Sequence, residues 1–441
     1  MSSLFTPLKA EGLTTLKIRH DFRSGEVRLY AAKEWEKDFD FSRYNRDFYI
    51  DGIFTEDAAY LNTKQVYELY SRHGLSKYLD EVIGLMRAGK HFGIDAYYYE
   101  KYDIRFMMHE HSRRLGINNK SHSVMAGGIR RHEPGEEEIE VIIDGLNLGR
   151  GMSFKNIACG LAFGGCKATV QMGPLDLNDM KVMGFLGYAL DTCRDMTGPD
   201  MNFPTEMSSV MIREGYSVQY TGSPDAKTGE TGKPTAYGIY LTMKQAVKFK
   251  EGTDSLKGKT VALMGLGAVG WHMGEHLLKE GVRLRIADIN PDAARKFINE
   301  HPGHDIETAD VNDVITMDAD ILCPCAIGGI IHDDIIPSLK CKYIWGSANN
   351  QLRASSQEEE IRISKLLADR GIIFQAEWWH NAAGVMCGAE EYLYDGTWET
   401  LIKKIEALLP ATTWDNLNKA KKLGITPTEC CYKTCEDKLY G

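Results

Sequence analysis

The stretch TVALMGLGAVGWHMGEHLLKEGVRLRIADIN, residues 260–290, constrains the fold of this chain more than any other. An apolar, β-leaning run from Thr260 to Met264 breaks on glycines and continues in a helical pattern, with apolar residues at Val269, Met273, Leu277 and Leu278. A second apolar run, Val282 to Ala287, ends in Asp288. This order predicts a strand–turn–helix–strand unit, and Gly265, Gly267 and Gly270 stand in its turn at the spacing G-x-G-x-x-G. Each glycine has a task. Gly265 permits the tight turn, Gly267 lets the backbone approach a pyrophosphate, and Gly270 lets the helix sit close to the sheet. The helix start at Ala268 and Val269 offers unpaired N–H groups and a partial positive charge to the phosphates. Asp288 follows the motif by roughly 20 residues, where a carboxylate accepts from ribose hydroxyls and repels a 2′-phosphate. The unit predicts a Rossmann domain binding NAD in preference to NADP. The competing reading is a domain of the same shape that has lost its cofactor.

At 441 residues the chain suits two or three domains. Its formal charge of −10, with no basic block, argues against a nucleic-acid partner. No apolar run reaches the roughly 18–20 residues of a membrane span. The N-terminal MSSLFTPLKAEG has neither a basic region nor a long apolar core, so no secretory signal is expected and the cytoplasm is the predicted location. Ten cysteines are present without paired C-x-x-C units, which predicts reduced thiols, no structural zinc and no metal site.

Residues 1–100 are rich in charge and aromatics, with helical periods over Thr63 to Arg72 and Lys77 to Arg87. The tyrosines at 97–99 are read as packing, with a recognition surface as the alternative. From about Ile104 to Arg131 two β-like runs frame a polar loop; the second ends in MAGGIRRH, where Gly127 and Gly128 allow close approach to a ligand. Glu136 to Arg150 reads as a helix. Lys155 and Lys167 then flank an apolar, glycine-broken segment, Lys167 lying between Gly164-Gly165-Cys166 and the β-like ATV. A lysine is usually a solvated charge. Small, apolar neighbours instead point to a partly buried ammonium with a lowered pKa, able to act as acid, base or carbonyl polariser.

The segment RGMSFKNIACGLAFGGCKATV resembles the catalytic segment of the leucine/phenylalanine/valine/glutamate dehydrogenase superfamily. PTAYGIY (234–240), the unit ending IADIN, CPCAIGGIIHDDIIPSLKCKYIWGSANNQL (323–352) and HNAAGVMCGAEEY (380–392) match in the same order, closest to the leucine/phenylalanine branch. The resemblance covers roughly residues 104–400. It implies NAD(P)-dependent, reversible deamination of an amino acid to a 2-oxo acid and ammonia. It would give Lys155 the substrate carboxylate, and Lys167 the polarised carbonyl and activated water of the carbinolamine steps. Gly127 and Gly128 would line the carboxylate end. Thr235, Ala326 and Asn349 would lie at the cofactor, and Asn381, Gly384 and Val385 in the substrate loop.

One departure bears on the chemistry. The family's general base is an aspartate in a strand reading like A-E-D-V-G or P-A-x-D. Aligning FPTEM with that pattern puts Met207 at the aspartate position, with Glu206 one step before it and Asp200 seven before. On an extended strand Glu206 would face the wrong way without a bulge or register change. Asp200 serves if the loop is threaded differently. With neither acid in place, deamination would be slow or absent. Two smaller departures are Cys166, where a small residue precedes the lysine, and Ala383, where a second glycine is usual.

Substrate class follows from the resemblance by elimination. The glutamate branch has a lysine before the glycine pair and a serine in the late loop; Ala126 and Gly388 stand there here. A second buried carboxylate would go unpaired, so a bulky apolar or aromatic amino acid is expected. The alternative is that Met125, Met207, Trp378 or Met386 fills the space. The predicted architecture is α/β: an N-terminal substrate domain with a mixed sheet (1–100 as an extension or part of it, 101–233 carrying the lysines), then a Rossmann domain over 234–393 with a cleft between them. Helices over 394–441 would pack back on the substrate domain. By resemblance the chain is a homo-oligomer, dimer to octamer. The alternative functions are an imine or oxo-acid reductase, or a non-catalytic NAD-binding sensor or scaffold.

Overall fold

The chain divides into two units, Met1–Asn156 with Ala162–Gly229 and Ile157–Leu161 with Glu230–Gly441. The division falls inside the Gly/Thr/Pro-rich stretch 221–234, whose composition disfavours regular structure. The computed structural model describes residues 2–44, 53–112 and 124–441; the polar loop expected between the two β-like runs lies largely outside the described residues. No helix among the described residues is long and apolar enough to cross a membrane.

The first unit is built on a mixed sheet. Its strands are β1 (Thr15–His20), β2 (Val27–Lys33), β3 (Ala59–Leu61), β4 (Gly93–Tyr99), β5 (Ile104–Glu110), β6 (Met125–Ala126), β7 (Ile129–His132) and β8 (Gly164–Gln171). They lie in the order β3-β2-β1-β4-β5-β8-β6, with β7 also on β8. Strand β8 is antiparallel to β5 and parallel to β6 and β7, and its eight residues are all buried. Burial on both faces follows from cover on both sides. On one face Cys166, Ala168 and Val170 join the core under α5 (Met180–Cys193). On the other lie α1 (Phe5–Ala10), α2 (Thr63–Arg72), α3 (Ser76–Ala88) and α4 (Glu138–Ala158). Tyr97 and Tyr99 pack into the first core and Tyr98 into the second, so the tyrosine run is packing. Residues 1–100 supply four strands of this sheet, so they belong to the first unit's core.

Helix α4 runs past the predicted end at Arg150, through Lys155. It lies close on the sheet because Gly145, Gly149 and Ser153, spaced by one turn, face it. A Cβ at Gly149 would sit 2.9 Å from the His109 carbonyl oxygen, and one at Gly165 of β8 would sit 2.6 Å from Ser153 Oγ. The last helix of this unit is α6 (Glu206–Arg213).

The second unit holds a parallel sheet of β9 (Thr260–Met264), β10 (Arg283–Ala287), β11 (Ile306–Thr308), β12 (Ile321–Pro324), β13 (Tyr343–Ile344) and β14 (Ile373–Phe374), in the order β11-β10-β9-β12-β13-β14. That is the doubly wound order, with its switch point between β9 and β12. Helices α7 (Gly232–Glu251), α8 (Ala268–Lys279), α9 (Pro291–Glu300) and α10 (Gln357–Asp369) cover it, followed by α11 (Glu377–His380) and α12 (Ala383–Tyr394). The tail forms α13 (Trp398–Leu423) and α14 (Pro427–Tyr440). It clusters with the second unit, where α13 packs on α7 and Leu417 joins the sheet's core, because its apolar stripe finds that helix face.

Candidate active site

Alternation along β8 puts Lys167 on the α4 face, and the register with β7, in which Arg130 pairs with Thr169, puts Arg130 on that face too. The segment following α5 runs alongside as extra extended chain. Met196 N–H donates to Met125 O (2.9 Å), Gly127 N–H to Met196 O (3.0 Å), Ile129 N–H to Gly198 O (2.9 Å) and Arg131 N–H to Met201 O (3.1 Å). This threading brings Asp200 to the lysine: Lys167 Nζ donates to Asp200 Oδ2 in a short contact. Arg130 Nε donates to the same oxygen at 3.1 Å, and Met201 N–H donates to Oδ1 at 2.8 Å. The Lys167 side chain is 5% exposed and that of Asp200 31%, so the pair opens to solvent from the carboxylate side. Burial, with the like charge of Arg130, pulls the Lys167 amine below its ordinary value. Burial alone would raise Asp200, but Lys167 and Arg130 outweigh it and hold the carboxyl down to about 2. His109, opposite Lys167 on β5, is buried and pushed down to about 3, so it stays neutral.

Glu206 is not brought to this pair. The segment read as a strand is helical: Glu206 opens α6 with an exposed side chain, while Met207 is fully buried in the core. The alignment through FPTEM assumed extended chain where the polypeptide turns into a helix, and the extended stretch is MTGPDM, ending on Asp200–Met201. Gly127 and Gly128 are required by space: a Cβ at 127 would run into the Cys166 carbonyl, and one at 128 would lie 3.0 Å from Lys167 Nζ and 3.2 Å from Gly198 O. Lys155 sits half-buried in the last turn of α4. Ala126 is fully buried on β6 beside Gly165, and Met125 and Met207 are equally buried.

In the second unit the glycine turn closes β9 as its spacing predicts. Gly265 has φ +93°, in the left-handed region, and a Cβ there would sit 2.8 Å from that of Ala326. At Gly270 a Cβ would strike the Gly265 carbonyl, whereas at Gly267 it would meet nothing within 4 Å. Open space at that one glycine, at the N-terminus of α8, fits a pyrophosphate. Asp288 directly follows β10; its Oδ2 accepts from Leu266 N–H (2.7 Å) and its Oδ1 from Asn290 N–H (2.8 Å), which ties the acid to the turn. Beyond β12 and β13, Asn381 Nδ2 donates to Asn349 Oδ1 and to Ser347 O, both at 3.1 Å. Its own buried Oδ1 has no protein partner. Gly384 leaves room for Thr235, whose Oγ1 would lie 2.9 Å from a Cβ there; Val385, the next residue of α12, is half-buried.

The sequence reading missed Arg130 and Asp144. Arg130 Nη1 donates to both Asp144 oxygens, at 3.1 and 3.2 Å. The signals were a lone acid in the uncharged helical run VIIDGLNLG and an arginine two residues past the glycine pair.

Residues 115–215 match the family described as Glu/Leu/Phe/Val dehydrogenase, dimerisation domain. Leucine dehydrogenase of Geobacillus stearothermophilus is 34% identical over 333 residues, spanning 73% of this chain and 86% of that protein. Phenylalanine dehydrogenase of Lysinibacillus sphaericus is 31% identical over 336 residues, 74% of this chain and 84% of the relative. Among solved structures, L-tryptophan dehydrogenase from Nostoc punctiforme shares the fold with a TM-score of 0.67 at 24% identity, covering 81% of this chain and 98% of that one.

Proposed function

Since the chain belongs to the Glu/Leu/Phe/Val dehydrogenase family, an oxidoreductase family acting on the CH–NH2 group of amino acids, we propose that it deaminates a bulky apolar or aromatic amino acid with NAD as the hydride acceptor. The observation that carries the reading is the buried ammonium–carboxylate pair of Lys167 and Asp200 beside Gly128. Relatives named for leucine and phenylalanine support an apolar side chain, as does Ala126, which offers no donor to a distal carboxylate. Asp288 supports NAD: the residues after it are Ile289, Asn290, Pro291 and Asp292, and none is a cation to receive a 2′-phosphate. The match to a dimerisation domain supports a homo-oligomer.

In this mechanism Lys155 binds the substrate carboxylate and fixes the α-carbon. The bound nicotinamide supplies the acceptor for hydride from that carbon. Asp200, held ionised by Lys167 and Arg130, takes the proton from the water that attacks the resulting imine. Asp200 then returns that proton to the carbinolamine nitrogen so that it leaves as ammonia, and takes the hydroxyl proton as the carbonyl forms, while Lys167, short of solvent, stabilises the charge that grows on that oxygen.

The test mixes purified protein, NAD and a panel of amino acids, and follows the reduced-nicotinamide absorbance; the reverse direction uses oxo acids and ammonia. Turnover of branched or aromatic substrates and little with glutamate is expected. A flat trace in both directions across branched, aromatic and acidic substrates would overturn the proposal.

A further inference from the structure

The oxygen of Asp200 that receives Lys167 also receives a second cation, and that cation is held from behind. Arg130 divides its guanidinium between two carboxylates, giving Nε to Asp200 and Nη1 to both oxygens of Asp144. Asp144 comes from α4, and its Oδ2 lies 3.5 Å from His132 Nε2. His132 Nδ1 in turn lies 2.9 Å from Glu136 Oε2. Charges therefore alternate from the site outward: Lys167, Asp200, Arg130, Asp144, His132, Glu136. The inner four sum to zero.

We propose that Arg130, anchored by Asp144, is a positioning residue that fixes the Asp200 carboxylate and sets the proton affinities of the Lys167–Asp200 pair. The claim rests on the dehydrogenase reading for its catalytic consequence, but not for its electrostatics. The groups facing the pair are the neutral His109 from β5, Arg130 and His132 from β7, Asp144 from α4 with Glu136 just before it, and Tyr220. Tyr220 is kept protonated by burial and the charge of Asp200. Burial works against charge on His132, but its bonds to Asp144 and Glu136 prevail and raise its pKa. Asp144 is lowered: burial opposes its charge, and His132 and Arg130 overcome it. Each anion is thus matched by a cation on another element, and removing one member unbalances its neighbours in a foreseeable direction.

Two substitutions push Lys167 in opposite directions. Arg130→Met removes a cation beside the amine, so the Lys167 pKa rises. Asp144→Asn leaves Arg130 unopposed, so it falls. Competitive acetylation, read lysine by lysine by peptide mass spectrometry across pH, reports the Lys167 profile without turnover. Shifts of about one pH unit, up in the first variant and down in the second, are expected. In the activity assay, Arg130→Met moves the acid limb of kcat/KM upward and lowers kcat by roughly ten- to a hundredfold with KM nearly unchanged, and Arg130→Lys restores the limb in part. If the labelling profile of Lys167 moves in neither variant, or moves the same way in both, the proposal fails. An inactive wild-type protein with opposed labelling shifts would instead sink the dehydrogenase reading and leave the positioning role standing.

Discussion

Replacing Asp200 by asparagine keeps the shape of the site and deletes one charge. Lys167, 5% exposed, then faces Arg130 without its own counter-ion. Removing one partner of a buried pair costs roughly 3–5 kcal/mol. The ceiling is the cost of discharging the amine: from its ordinary value of 10.5 that is about 5 kcal/mol at neutral pH. The two figures agree, so Asp200→Asn is expected to fold with a neutral Lys167. The sign follows by linkage. The unfolded chain then binds one proton more than the folded one, so stability rises with pH by about 1.4 kcal/mol per unit until the unfolded lysine titrates. Urea midpoints measured from about pH 6 to 9 should climb in the variant with a slope the parent lacks. Initial rates should fall by roughly 10²–10⁴ for loss of a general base. Glu206→Gln, at an exposed position, should change neither reading. A flat pH dependence of the midpoint in Asp200→Asn, with activity within about tenfold of the parent, would refute both the buried pair and the assignment of the base.

Gly128→Ala places a methyl 3.0 Å from Lys167 Nζ and 3.2 Å from the Gly198 carbonyl, so the pair must shift. A cost of about 1–3 kcal/mol in the melting transition and a fall in kcat larger than any change in KM are expected, and an unchanged kcat would show that the amine tolerates displacement. Asp288→Ser removes the charge opposed to a 2′-phosphate and also the acceptor of Leu266 N–H, so both dinucleotides should bind less well. The readout is the ratio of kcat/KM for NAD over NADP, which should drop by about tenfold or more; a constant ratio would show that Asp288 does not discriminate.

The dinucleotide unit was legible in the sequence because its glycines do work that backbone geometry alone defines. Gly265 needs a left-handed turn and Gly270 a close approach, and neither depends on distant chain. The helices over 63–72 and 76–88 were legible for the same reason: Asn62 and Gln65 cap the first reciprocally, and apolar spacing marks both. The meeting of Asp200 with Lys167 was legible only as one alternative, because it is decided by hydrogen bonds between segments 125–131 and 196–201, which local pattern does not encode. Anchoring on FPTEM led to Glu206, on a helix where a strand was assumed. Arg130 and Asp144 escaped notice because each looks ordinary alone, and only the crossing of α4 over β7 makes them a pair. The contact of α13 with α7 was not legible either, because an amphipathic helix records that it has a partner without recording which one.

Helix α4, which bears Lys155, meets the strand that bears Lys167 main chain to main chain, through two glycines and a serine with almost no side-chain padding between. Cushions of leucine or valine drift as cores are repacked over evolutionary time, whereas a seam without cushions has nothing to swap. The mounting of the two ammonium groups is therefore insulated from changes that resize the surrounding pocket.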